Sequence, residues 1–485
     1  MRLSKDPAAQ LIALVAAFAL TRFVVLVVTR ARDLYPFQDD PLEISVFAGW
    51  GAAFAGSGAD VPLRDGPWEY PAGAAAVVVG PALLRGAPYV PAFVGQMLLW
   101  DLAVLVVLAL LGLRRGSLAG AWLWVAVVPL LGPVALARFD VVPTALSVGG
   151  LAAATAAPAL AGALLASGAV IKLWPALLLP LVLLLHRRPS RVLVGSVAVG
   201  LGTLVAVHLH GGTGQLLSFL TYQRDRGLEV ESLPALPLML ARACGDERMV
   251  VGFGFGSYEV DGPWAPALQL LGSLGLAGVL LLVGVLAVRA HRAVHAGGTD
   301  AELAATTLAV LLLAGVLVFD KVLSAQYPLW LAGLLCLSLC RPDSPLRPAV
   351  APLAALLVLT QAVYPLAIQT LTTTTEPAPV LLLAARDVLL VLVAWIAARA
   401  AWGLGSEQRV GADEHRGQHG HRPGGHQQHG LVDAEALGEP GQRPDDREQH
   451  QVDAGQGQQR PTRPHEQQRQ GDAGPGVEPV RRPGP

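Results

Sequence analysis

Long apolar runs separated by short polar interruptions occupy the first four hundred residues of this chain. They fall at about residues 8–28, 72–85, 90–112, 119–137, 141–157, 159–185, 191–209, 266–288, 302–319, 326–340, 349–371 and 379–401. Most are long enough for a helix to cross the hydrocarbon core of a bilayer. They predict an all-α, polytopic integral membrane protein with about 11–13 membrane segments, joined at two places by sizeable loops, residues 29–71 and 210–265. The first run follows a short Arg/Lys flank and lacks a small-residue cleavage site, so it reads as a membrane helix rather than a removable signal peptide.

Basic residues orient the runs, because they concentrate on the cytoplasmic side. Arg2 and Lys5, His186-Arg187-Arg188 with Arg191, Arg289-His291-Arg292, and Arg341 with Arg347 are assigned to that side. The two long loops, the Asp320-Lys321 turn and the 370–376 turn then face outside. Strict alternation would put Arg114-Arg115 outside as well. The conflict disappears if 72–112 makes one net crossing, which moves Arg138-Phe139-Asp140 outside. Residues 159–185 would then be two half-helices meeting near Lys172 and Pro175, an interruption tolerated at membrane depth where it lines a cavity.

Composition changes this picture in three ways. First, the 485 residues are 53% hydrophobic and 15% charged with a formal net charge of −1, which gives no reason to expect a nucleic-acid partner. Second, from residue 405 to 485 the chain turns to Gln, His, Arg, Gly, Pro and Asp with nothing to bury, the pattern of a disordered polar tail on the cytoplasmic side. His415, His419, His421, His426 and His429 are better read as part of that solvated tail than as a metal site, and no metal or cofactor is called for. Third, lysine is nearly absent: only Lys5, Lys172 and Lys321 occur. An ammonium inside a run such as SGAVIKLWPALLL costs a few kcal/mol and belongs beside a polar cavity, so Lys172 and Lys321 point to a buried site for an anionic ligand. Cys336 and Cys340, one helical turn apart in an apolar run, read as small core residues.

Candidate chemistry gathers in the external loops. Glu43, Phe47, Trp50 and Phe54 have helical spacing, which puts the aromatics on one face with Glu43 at its start. Asp40-Pro41 looks like an N-cap followed by proline at the first helical position. Glu43 is therefore the better general base, with Asp40 as the alternative and Asp39 beside them. Glu69-Tyr70-Pro71 either anchors a span at the interface or contributes to the site. Tyr222, Arg224, Asp225, Arg226, Glu229 and Glu231 form a dense charge cluster, which is either a solvated face or a clamp for phosphate and sugar hydroxyls. Lys321, Ser324, Gln326 and Tyr327 bring convergent donors to the mouth of a span; the bland alternative is a Lys321–Asp320 pair snorkelling to the interface.

Read together, these motifs resemble the polyprenyl-phosphate-sugar-dependent enzymes of glycosyltransferase family 87, in the membrane-embedded GT-C class. The resemblance covers roughly residues 8–400. It rests on the acidic, aromatic stretch before WEYPAGAA, then ARFDVVPTAL, IKLWPALLLPL, TYQRDRGLEVESLPALP and KVLSAQYPLW, in that order. The family usually places an aspartate four residues before an aromatic; counting back from Phe47, this chain has Glu43 there. The family's Glu/Gln-Tyr-Pro-Pro is Glu69-Tyr70-Pro71-Ala72 here.

The resemblance implies a membrane domain over residues 1–404 and a multi-pass enzyme of a bacterial, actinobacterial-like cell membrane with its active site outside. Its expected donor is a polyprenyl-phosphate-linked sugar, mannose by inheritance from the family, and its acceptor a lipid-linked or cell-envelope glycan. One carboxylate, Glu43 or Asp40, would take the acceptor proton, and a single in-line attack would invert the anomeric centre. Lys172, Lys321, Arg138 and Arg226 would bind the donor phosphate. Asp39, Glu69, Tyr70, Asp140, Gln326, Tyr327 and Glu231 would contact substrate. Two other readings stay open on the sequence: a lipid or polyol transporter, which predicts matching repeats, and an inactive membrane scaffold.

Overall fold

A computed structural model of the chain describes residues 6–30, 44–56, 60–84 and 86–404. Asp39, Asp40, Glu43 and the 405–485 tail lie outside the described residues. The described chain is a helical bundle. Helix α1 (Pro7–Arg30) precedes two short helices, α2 (Ile44–Phe54) and α3 (Ala74–Ala82). Then come α4 (Tyr89–Arg115), α5 (Ala119–Leu131), the single turn α6 (Val134–Ala137) and α7 (Val141–Ala153). Helix α8 (Pro158–Ile171) leads through a tight 3-10 turn at Trp174–Leu178 into α9 (Leu179–Leu185) and α10 (Pro189–His210).

The 211–264 loop carries α11 (Ser218–Asp225), α12 (Leu236–Ala243) and three strands: β1 (Leu228–Glu229), β2 (Val250–Gly254) and β3 (Ser257–Asp261). The strands form an antiparallel sheet in the order β1-β3-β2. Helices α13 (Ala265–His295), α14 (Ala301–Phe319), α15 (Pro328–Ser338), α16 (Val350–Gln361), α17 (Ile368–Thr373) and α18 (Pro377–Gly403) complete the bundle.

Among the described residues, seven helices are long and apolar enough to cross a membrane: 7–30, 89–115, 189–210, 265–295, 301–319, 347–373 and 377–403. The other predicted runs form shorter apolar helices. Local chemistry sets the ends. Asp300 caps α14 by accepting from the amides of Glu302 and Leu303 at 3.0 and 2.9 Å. Gly116 (φ +83°) closes α4 in the left-handed conformation that glycine adopts without strain. Helices α8 and α10 cross so closely that a side chain on Gly162 would run into the Val192 carbonyl, and one on Gly195 into the Ala159 carbonyl. Small residues at the crossing are what permit it.

The bundle has two chemically distinct ends. At one, Arg115 pairs with Glu302, Arg341 pairs with Asp300 at 3.0 Å, and the Arg289 guanidinium lies over Trp402. His291 reaches the Leu184 carbonyl there, 2.7 Å away. At the other, the Trp68 amide donates to Ser218 at 2.9 Å, and Arg242 binds carbonyls of Leu371, Thr372 and Thr374. Helix α4 starts at this second end, where Tyr89 donates to the Val78 carbonyl and Phe93 stacks on Phe47. Helices α2 and α3 therefore pack at this second end, and α4 runs from there to the first. Arg114 and Arg115 share an end with Arg341, and Arg138 lies at the opposite one.

A buried ion pair ties α1 to this frame. Arg22 is 3% exposed and Asp101 is fully buried. The guanidinium bonds both carboxylate oxygens at 2.8 and 2.9 Å, and reaches the Val125 and Trp124 carbonyls. Trp124 Nε1 donates to the same carboxylate at 2.8 Å. Removing one partner strands a buried charge, which typically costs about 3–5 kcal/mol, whereas replacing both by apolar groups is often close to neutral. Arg22→Leu and Asp101→Leu are each expected to lower the unfolding temperature in detergent, and the double variant to recover most of the loss. A double variant no better than the singles would show that the pair is not what holds α1.

Candidate active site

Pro175 dictates the local break on which the site is built. Its ring would clash with the carbonyl of residue 171 in a continuous helix, whereas it is tolerated in the first turn of the new one that begins at Trp174. Helix α8 accordingly ends at Ile171, and Lys172 adopts an extended conformation (φ −146°, ψ 131°). The lysine side chain thereby leaves the helix surface and turns inward.

There it meets Asp140, at the start of α7, with Nζ 2.6 Å from Oδ1. The same oxygen accepts a 2.7 Å hydrogen bond from Trp330 Nε1. Asp140 is buried at 2% side-chain exposure, while the lysine side chain keeps 13% and lines a cavity. The start of a helix favours the carboxylate. Four rings surround the ammonium: Tyr327 at 5.0 Å, Trp330 at 5.2 Å, Phe139 at 5.5 Å and Tyr70 at 5.9 Å from Nζ. Cation–π attraction and a charge-assisted hydrogen bond together compensate the desolvated charge.

The cavity has a volume of about 610 Å³. Its floor is aromatic: Trp330 is stacked between Trp174 (5.3 Å) and Tyr327 (4.0 Å). Phe47 and Trp50 of α2 form one side, with Glu69 and Tyr70 beside them. Arg138, Arg226, Lys321 and Gln326 also line it. Leu173, Leu177, Leu276, Leu280 and Val316 form a wall without polar side chains, contributed by the α8 break and by the membrane-length helices α13 and α14.

The cations are held differently. Lys321 Nζ donates to the carbonyls of Arg224 (2.9 Å) and Arg226 (2.5 Å), not to Asp320. It thereby fixes the backbone that presents Arg226. The Arg226 guanidinium is 8% exposed, bonds Ser257 Oγ at 2.7 Å and lies 3.9 Å from Glu229, while its buried Nε has no hydrogen-bond partner. Burial raises the Glu229 carboxyl above its ordinary value, with Arg226 and the Ser324 hydroxyl opposing.

Of the residues singled out from the sequence, Lys172, Lys321, Arg138, Arg226, Glu69, Tyr70, Gln326 and Tyr327 meet on this one cavity. Asp140 sits behind it as the partner of Lys172. Glu231 is turned away, 3.6 Å from Arg386 on α18, whose closer partner is Asp387 at 2.7 Å. Glu43, Asp40 and Asp39 lie outside the described residues. Sequence reasoning assigned no role to Trp174 or Trp330, and took Asp320 only as a snorkelling partner of Lys321. It also missed the β2–β3 hairpin, which brings Phe253 and Phe255 to the rim. Alternating side chains in VVGFGFGSYEV and a turn at Phe255-Gly256, both at positive φ, are the available signals.

A family model for glycosyltransferase family 87 matches residues 68–319. The chain belongs to glycosyltransferase family 87. No curated protein and no solved structure matches it. As a family-87 member it is a membrane glycosyltransferase. The matched segment runs from Trp68 beside the cavity to the last residue of α14, and so includes Glu69, Arg138, Lys172 and Arg226. Lys321, Gln326 and Tyr327 of this family-87 cavity fall just beyond it.

Glu231 gives the enzyme a pH-sensitive brace. Burial, only partly offset by Arg386, raises its carboxyl to about 8. It folds with a proton that the unfolded chain releases near its ordinary value, so it contributes stability at low pH that is lost as pH rises through about 8. The unfolding temperature is expected to fall between about pH 5 and 8 in wild type, and Glu231→Gln to flatten that slope. A slope unchanged by the substitution would reject this assignment.

Proposed function

We propose that this glycosyltransferase moves a hexose, mannose, from a polyprenyl-phosphate donor to a lipid-linked or cell-envelope glycan on the outer face of a bacterial cell membrane. The observation that supports it is the meeting, in one cavity, of several cations with an apolar wall of membrane-length helices. A phosphate attached to a long isoprenoid needs both: cations for the head and hydrocarbon surface for the chain beside it.

In this reading a carboxylate, Glu43 by preference and Asp40 otherwise, takes the proton of the acceptor hydroxyl as that oxygen attacks the anomeric carbon. The bond from that carbon to the phosphate oxygen breaks, its electron pair stays on the phosphate, and the anomeric centre inverts. Arg226 and Arg138 meet the growing charge, Lys321 holds Arg226 in place, and Lys172 offers the edge of its ammonium that Asp140 leaves open. Asp39, Glu69, Tyr70, Gln326 and Tyr327 serve substrate placement. Residues 1–404 make up the membrane enzyme and 405–485 a polar cytoplasmic appendage.

The test is direct. Purified full-length protein is given radiolabelled polyprenyl-phosphate-mannose and a mannoside acceptor, and labelled product is measured. Transfer is expected in wild type, with a fall of roughly 10²–10⁴-fold when Glu43→Gln is combined with Asp40→Asn. Arg226→Gln is expected to raise KM for the donor. No transfer by wild type, or transfer untouched in the double carboxylate variant, refutes the reading.

A further inference from the structure

One cavity carboxylate has no task in that scheme. Asp320 follows the last residue of α14, and its Oδ1 accepts the Val322 amide at 3.2 Å. The residue lines the cavity and remains partly open to it. Among the described residues no ion pair claims it. The neighbouring ammonium of Lys321 is engaged with two carbonyls, and the Arg226 guanidinium with Ser257 and Glu229.

Its position is costly. The C-terminal end of a 19-residue apolar helix disfavours a negative charge. Burial raises its carboxyl to about 6, opposed by the Val322 amide, Arg226 and Lys321. The turn alone does not explain a charge here, since asparagine or serine would accept from Val322 equally well.

What the carboxylate faces explains it better. The same cavity contains the stacked rings of Tyr327, Trp330 and Trp174. A sugar ring presents C–H faces that pack on aromatic rings and hydroxyls that donate to carboxylate oxygens. Arg226, which lines the same cavity and whose charge acts on Asp320, is the proposed phosphate ligand, so the sugar nearest to Asp320 is the one joined to that phosphate. We infer that Asp320 reads the hydroxyls of the transferred sugar and sets the enzyme's choice of donor. This rests on the proposed function above. A hydrogen bond to a charged group is strong enough for its loss to weaken binding by roughly 10- to 100-fold.

Binding separates this inference from catalysis, and Trp174 and Trp330 in the wall supply a fluorescence signal. Full-length wild type and Asp320→Asn are titrated with polyprenyl-phosphate-mannose, the corresponding glucose and arabinose donors, deoxy versions of the tightest donor, and sugar-free polyprenyl phosphate. Wild type is expected to prefer one sugar donor. In the variant the Kd of that donor should rise about tenfold or more, while sugar-free polyprenyl phosphate binds as before. One deoxy donor should bind both proteins alike. Asp320→Ser, which keeps an acceptor for Val322, replaces the asparagine variant if that fails to fold. Equal weakening of every ligand, an unchanged donor Kd, or a wild type that binds sugar donors no tighter than polyprenyl phosphate overturns the assignment. Wild type that binds donors selectively but transfers nothing overturns the proposed reaction and leaves the sugar-reading role standing.

Discussion

The hydrogen-bonded ion pair between Lys172 and Asp140 is the interaction on which the functional end of this molecule depends. It joins three elements that share no other charge: the start of α7, the break after α8 and, through Trp330, helix α15. Without Pro175 the lysine would stay on a helix; without Asp140 it would be an unpaired cation in a desolvated place. Three of the four rings around the ammonium, Tyr70, Tyr327 and Trp330, also line the cavity. One arrangement thus resolves an electrostatic problem and shapes a binding surface.

The other buried charges follow the same rule with different consequences. Arg22 and Asp101 satisfy each other and two backbone carbonyls, leaving nothing to offer a ligand. Arg386 is claimed by Asp387, so Glu231 becomes the surplus carboxylate of its cluster. Arg226 differs: its guanidinium keeps a buried Nε without a partner and borders open space. Of these buried cations, Arg226 is the one with an unpartnered donor beside open space, where an incoming anion can meet it.

Much of this was legible in the sequence because the bilayer imposes a simple requirement. Backbone groups at membrane depth must pair within their own segment, so each apolar run had to be helical. Lys172 stood out for the same reason, since an ammonium in such a run demands compensation. What stayed hidden was nonlocal. Nothing near Arg22 announces that Asp101, on another helix, will meet it, and nothing in RGLEVES reveals that Glu231 will face α18. The hairpin escaped notice because its alternating glycines read as loop. Trp330 sits within a recognised motif, yet its indole hydrogen bond to Asp140 exists only once α7 and α15 are packed.

The Arg22–Asp101 pair also bears on how the chain reaches the membrane. Its two members lie 79 residues apart, so α1 leaves the ribosome well before its counter-charge exists. Until α4 and α5 are made, an arginine two-thirds along the first helix faces hydrocarbon alone. Before α4 is in place the guanidinium has to reach toward the interface, at a cost of a few kcal/mol. The pair therefore links the final seating of α1 to the arrival of α4, and a truncation ending before Asp101 leaves that arginine without its counter-charge.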